Sequence, residues 1–239
     1  MKKTYILMGV LMAIISVFLL LKPSNSIKEE IGNKLSEEII KNKSDDLKKD
    51  NDIYYFKGKA KHNYIFLNDN MWRILSINKD NSIKLIKDSK ISSLESTTYT
   101  KKDSFEYKDS IIKELLEEWY KEELSSKNDI ILDKQYCSSY KDKCLTTIKA
   151  KIGLLNEEEY NNTFIENESF LTESFDWWII SNNYYDEEYD DYLTSYIGED
   201  GTIIELSVYE YSGIRPVINI AGDTLVTGKG TEAEPYTIN

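Results

Sequence analysis

Apolar and polar positions are arranged in three ways along this chain, and each predicts a different kind of element. Residues 4–21, TYILMGVLMAIISVFLLL, are apolar with no charge among them. As a helix at 1.5 Å per residue they span about 27 Å, close to the ~30 Å hydrocarbon core of a bilayer. Lys2 and Lys3 precede the run, and Lys22-Pro23 closes it. That positive flank predicts an N-terminus inside the cell and export of everything after Lys22. The run reads as a single-pass anchor over residues 1–22. The alternative is a signal peptide cleaved after Ser26.

The second arrangement is a narrow stripe. Ile27, Ile31, Leu35 and Ile39 recur every four residues behind a capping box at Ser26 and Glu29. A stripe this narrow predicts a loosely packed helical stalk, and the polar residues 42–52 predict a linker. Residues 23–52 are therefore expected as stalk and linker, with a folded domain over 53–239.

The third arrangement is a set of short runs rich in aromatic and β-branched residues. Tyr54-Tyr55-Phe56, Tyr64–Leu67, Trp72–Ile77 and Ser82–Ile86 are divided by Asn68-Asp69-Asn70 and Asn78–Asn81. This predicts a meander of strands joined by tight turns. Residues 109–125 then place Ile111, Ile112, Leu115, Leu116, Trp119 and Leu124 on one helical face, with Asp109 or Ser110 as cap. A shorter helix is predicted from Asn156, where Glu159 completes a capping box. Strands return at Trp177–Ile180, Thr202–Leu206 and Ile214–Ile220. Helices between two blocks of strands predict an α+β domain.

Charge changes the picture next. The formal net charge is −12, and residues 153–239 hold nineteen acidic residues against only Arg215 and Lys229. Such a half repels phosphates, which argues against nucleic acid as a partner. It leaves cations, basic partners and neutral glycans. It also fits an acidic surface that keeps an exported protein soluble. Cys137 and Cys144 are the only cysteines, and outside the cell two so close are expected to form a disulfide. Their spacing is neither that of a zinc site nor that of a C-x-x-C redox pair.

The chemistry in the sequence favours binding over catalysis. The lone histidine, His62, lies in a polar run and reads as a surface residue, so no catalytic residue is assigned. Phosphate-cradling glycine patterns are absent. Paired carboxylates for glycoside hydrolysis stay open, because sequence gives no distances. Residues 182–201 interleave tyrosines with carboxylates. Asp186, Glu187, Asp190 and Asp191 offer oxygens of the kind Ca²⁺ takes, and Tyr184, Tyr185 and Tyr189 offer faces for sugar rings or a protein anchor. The alternative for this segment is a solvated acidic loop. In an extended strand, adjacent Trp177 and Trp178 face opposite sides, so one is expected in the core and the other, Trp178, is a candidate ligand contact. Arg215, isolated among acids, is expected to pair with a carboxylate in a buried or half-buried position, with an anion site as the alternative.

The order of these landmarks carries a resemblance. NYIFLNDNMWRILSINKDNSIKLI, LLEEWYKEEL, the cysteine segment, KIGLLNEEEY, WWIIS, GIRPVINI and TGKGTEAEPYTI follow one another through residues 53–239. Together they resemble exported bacterial domains of unknown function of the DUF6273 type, which are similar in turn to the C-type-lectin-like fold of formylglycine-generating enzymes. The resemblance implies a lectin-like domain displayed at a bacterial cell membrane or secreted, with its ligand loops late in the chain. The reactive late cysteines of formylglycine-generating enzymes have no counterpart after Cys144. The expected function is a non-catalytic surface module for a glycan, a cell-wall component or a protein. The alternatives are a carboxylate-based extracellular enzyme and a purely structural surface protein.

Overall fold

The structure is a computed structural model that describes residues 32–42, 45–94, 96–100, 106–140, 143–181 and 183–238. The expected anchor at 4–21, the cleavage point at Ser26 and the capping box at Ser26–Glu29 lie outside the described residues. Among the described residues, no helix is long and apolar enough to cross a membrane. Residues from Gly32 to Asn239 belong to one compact unit.

The strands begin with β1 (Asn33–Lys34), β2 (Leu47–Asp50), β3 (Ile53–Phe56), β4 (Tyr64–Leu67), β5 (Asn70–Ile77) and β6 (Ile83–Lys87). Next come β7 (Thr97–Thr98), β8 (Lys134–Tyr140), β9 (Lys143–Ala150), β10 (Ile152–Gly153), β11 (Trp177–Trp178) and β12 (Tyr184–Asp186). The last are β13 (Asp191–Ile197), β14 (Ile203–Ser207), β15 (Tyr211–Ser212), β16 (Val217–Ile220), β17 (Leu225–Thr227) and β18 (Tyr236–Ile238). Against these stand, among the described residues, three α-helices, Leu35–Lys41, Ile111–Glu123 and Glu157–Asn161.

This corrects the expected α+β, C-type-lectin-like domain behind a helical stalk. The described chain is mostly β. Two of its three helices are short, of 7 and 5 residues, and the 13-residue helix Ile111–Glu123 is the only long one described. The expected stalk from Gly32 onward is also part of the domain. β1 pairs with β17, β2 pairs with β3, and the stripe residues Leu35 and Ile39 are buried in the core. A narrow stripe suits a helix of two turns laid on a sheet edge as well as it suits a stalk.

Ten strands form the main sheet, whose path runs β1-β17-β18-β4-β5-β6-β16-β10, with β3 joining β5 and β2 joining β3. All its pairs are antiparallel except β18 with β4. The turn between β4 and β5 takes positive φ at Asn68 and Asp69 (48° and 57°), as a two-residue type I′ hairpin requires. The tail turn closes at Gly228, where φ is 95° and a Cβ would meet the Pro235 carbonyl oxygen at 2.1 Å. It returns β18 to the sheet and buries Tyr236.

The register divides the central strands β5, β6 and β16 into two faces. One carries Trp72, Ile74, Leu85, Ile218, Ile83 and Ile220. It packs against the helix Ile111–Glu123, where Trp119 meets Trp72 with ring centroids 6.3 Å apart. Ser110 caps that helix by accepting the Lys113 N–H. The other face carries Arg73, Ile86 and Val217, then Ser76, Lys84 and Asn219. It receives the helix Glu157–Asn161, whose capping box at Asn156 and Glu159 forms as the sequence predicts.

A smaller four-stranded sheet is built around β13, with β11 and β12 along one edge and β14 along the other. β7 pairs with β15, and β8 with β9 forms a hairpin. Cys137 and Cys144 are joined by a disulfide across that hairpin, with Cα atoms 5.6 Å apart.

Candidate functional site

The sequence-predicted segment becomes the β12–β13 hairpin. Its register sets Tyr184 against Leu193, Tyr185 against Tyr192 and Asp186 against Asp191. The turn is held by its own carboxylates. Asp186 accepts the N–H groups of Glu188 (2.9 Å) and Tyr189 (3.1 Å), and Asp190 takes the left-handed conformation at φ 52°. The Tyr185 hydroxyl donates to Asp190, and that bond is the main reason its pKa is raised. Asp191 accepts the Tyr192 N–H, and Tyr184 donates to Glu205 at 2.8 Å. Asp186, Asp190 and Asp191 thus bond within the hairpin. Among the described residues, no group of three His, Cys, Asp or Glu side chains is gathered as a metal ion would need.

What the hairpin does offer is exposed aromatic surface. The Val208 N–H donates to the Tyr192 carbonyl, which brings the turn after β14 to the same end of the small sheet. Tyr185, Tyr189, Tyr209 and Tyr211 are 44%, 71%, 47% and 64% exposed. The Tyr185 and Tyr192 rings meet edge to face at 5.1 Å, which fixes one of the four. Tyr209 is not legible in the sequence, because its place beside the hairpin depends on strand pairing, and Tyr211 follows on β15, which pairs with β7.

Two other predicted contacts are corrected. Trp178 is wholly buried, as is Trp177. Their side chains do point to opposite sides, but both sides are covered. Trp178 packs between Tyr99 (5.6 Å) and Tyr196 (6.0 Å) and donates its indole N–H to the Thr97 carbonyl at 2.7 Å. Trp177 meets Tyr160 on edge and carries the Arg215 guanidinium over its ring at 4.9 Å.

Arg215 is fully buried, but among the described residues it does not bond a carboxylate. It donates to the backbone carbonyls of Lys87, Asp88 and Leu171, each at 3.1 Å. Burial draws its pKa down to about 10, and the charges of Glu173 and Asp88 pull it partly back. Arg73 makes the companion site, bonding the Ala60 carbonyl, Asn63 and Asp88 beneath the Tyr64 ring at 3.9 Å. Burial lowers Arg73 and Lys87 and raises the carboxyl of Glu173. With their donors directed at protein acceptors, the two arginines tie loops to the sheet. His62 is exposed and lines a surface groove with Lys61, Tyr64 and Glu232.

The main sheet holds a second arrangement that the sequence did not disclose. Tyr55, Ser76, Lys84 and Asn219 are successive partners across β3, β5, β6 and β16, so they form one polar row on one face. The β5–β6 register shifts between Ile74 and Ser76, which makes Leu75 the extra residue of a bulge. Asn78 braces the row, donating to Ser82 (2.9 Å) and Asn219 (3.2 Å) and accepting from Ser76 (3.1 Å). Lys84 is ion-paired with Glu159 from the short helix. Between sheet and helix lies a cleft of about 190 Å³. Burial, then the charges of Glu158, Glu159 and Asp50, raise the Tyr55 hydroxyl above its ordinary value.

No protein-family model, curated protein or solved structure matches this chain.

Proposed function

We propose that this chain is a non-catalytic binding module, displayed outside a bacterial cell, that recognises a glycan or cell-wall polymer through the tyrosine-bearing end of its small sheet. The observation that carries the proposal is the exposure of Tyr185 and Tyr189 on the β12–β13 hairpin and of Tyr209 in the turn after β14, at one end of the small sheet, with Tyr211 exposed on β15 just beyond that turn. Flat rings with polar tips suit alternating apolar and hydroxyl surfaces, and they lose little conformational entropy on binding. The surrounding Glu187, Glu188 and Glu210 add acceptors for hydroxyl or amine groups. The apolar run at 4–21 with its basic flank supports display outside the membrane, as does the Cys137–Cys144 disulfide. The order of motifs over residues 53–239, read as resembling exported domains of the DUF6273 type, is in keeping with this reading.

The test is an array of glycans and cell-wall fragments probed with the full chain in mild detergent, with Ca²⁺ and with chelator. The proposal expects binding that Tyr189→Ala and Tyr209→Ala each weaken at unchanged melting temperature. A blank array in both conditions refutes it.

A further inference from the structure

We infer that the cleft between the main sheet and the helix Glu157–Asn161 is a separate binding site for a single uncharged sugar residue. The inference stands on the cleft alone and does not depend on the tyrosine-bearing end of the small sheet.

Size comes first. A volume of about 190 Å³ corresponds to about six waters at ~30 Å³ each, which is room for one small ring. Charge comes second. Lys84 in the floor is already neutralised by Glu159, and Glu158 stands exposed beside them. Among the lining residues an anion finds no unpaired cation and meets Glu158, which disfavours it, while a neutral ligand meets no like charge.

Hydrogen-bonding capacity is the third and strongest point. The deeper polar groups are committed to the protein. Ser76 and Asn78 bond each other, and Thr163 bonds the Tyr160 carbonyl and Ser169. Four lining groups are not committed. The Tyr55 hydroxyl, the side-chain amide nitrogen of Asn156, the side-chain amide of Asn162 and the Glu158 carboxylate have no hydrogen-bond partner among the described residues, and all four residues line the cleft. They supply donors, acceptors and one group that does both, which is the set a ring of hydroxyls satisfies. Tyr55 adds a flat apolar wall, one face of which carries the Lys57 ammonium at 5.8 Å. The bulge at Leu75 resets the β5–β6 register just before Ser76, beside the cleft.

The test is saturation-transfer NMR and calorimetry on the full chain in mild detergent. The probes are the methyl glycosides of glucose, galactose and N-acetylglucosamine, with glucuronate and glucosamine as charged controls. At least one neutral glycoside should bind. Tyr55→Phe and Asn162→Ala should each weaken it about five-fold, the effect of one lost hydrogen bond, while Tyr189→Ala leaves it unchanged. The inference is overturned if no neutral glycoside binds, if only the charged controls bind, or if both cleft variants bind as the parent does. Loss in Tyr189→Ala alone also overturns it, while leaving the proposed function standing. A blank glycan array together with monosaccharide binding sensitive to Tyr55→Phe does the reverse. Tyr55→Phe removes a single oxygen and keeps the ring, so it reads the site even if Asn162→Ala weakens the fold.

Discussion

Replacing Arg215 with methionine should cost about 3–5 kcal/mol of stability. The guanidinium is fully buried and holds three backbone carbonyls, those of Lys87, Asp88 and Leu171, each at 3.1 Å. Hydrogen bonds to a charged donor are worth roughly 1.5–3 kcal/mol each, so three amount to about 5–9 kcal/mol. Burying the charge costs several kcal/mol, which the methionine no longer incurs. The net is set by the three carbonyls left without a donor, at about 1–3 kcal/mol each, and falls at about 3–5 kcal/mol. For a domain of this size 1 kcal/mol moves Tm by about 2–4 °C, so a loss near 4 kcal/mol lowers it by about 8–16 °C. Urea unfolding followed by tryptophan fluorescence reads the loss directly, since Trp177 lies against the guanidinium. Arg215→Lys should recover less than half of it, because an ammonium does not reproduce the planar fork. A methionine variant within 1 kcal/mol of the parent would refute the view that this arginine ties β6 and the segment before β11 together.

Three further outcomes follow from the same structure. Trp178→Ala should destabilise by about 3–5 kcal/mol, the range for a buried tryptophan, and iodide should quench Trp178 poorly in the parent. Cys137→Ser should cost about 2.5 kcal/mol by loop-closure entropy in urea titrations, and reductant should cost the parent the same amount. Burial raises the Glu173 carboxyl above its ordinary 4.5, so the folded state holds its proton to higher pH than the unfolded state does. The contribution of the protonated form is therefore full below 4.5 and is lost as pH rises through the raised value. Glu173→Gln should raise Tm at pH 7 and leave it nearly unchanged at pH 3.5; a fall at pH 7 would mean that attraction to Arg215 and Arg73 outweighs burial.

What the sequence disclosed was local. Ser110 and Asn156 announced two helices because a cap and an apolar period lie within a few residues of each other. Asn68 and Asp69 announced a hairpin because their backbone tolerates positive φ. The cysteine pair was legible because its loop is short. What stayed hidden was register. Ser76, Lys84 and Asn219 read as ordinary polar residues on half-buried strands, and only the pairing of β5, β6 and β16 makes them a row. Tyr209 comes beside the hairpin for the same reason. Trp178 was expected to reach a ligand because strand alternation says which way a side chain points. It says nothing of Tyr99 and Tyr196 waiting on that side. The stripe at Leu35 and Ile39 looked too narrow for a core, and it proved wide enough to seat two turns against the sheet.

The most direct test of the proposed function is hydrogen exchange on the full chain with and without a cell-wall fragment that it binds. The account predicts new protection confined to 184–192 and 207–211, at the tyrosine-bearing end of the small sheet. Protection elsewhere, with these two segments exchanging as in the free protein, would contradict it.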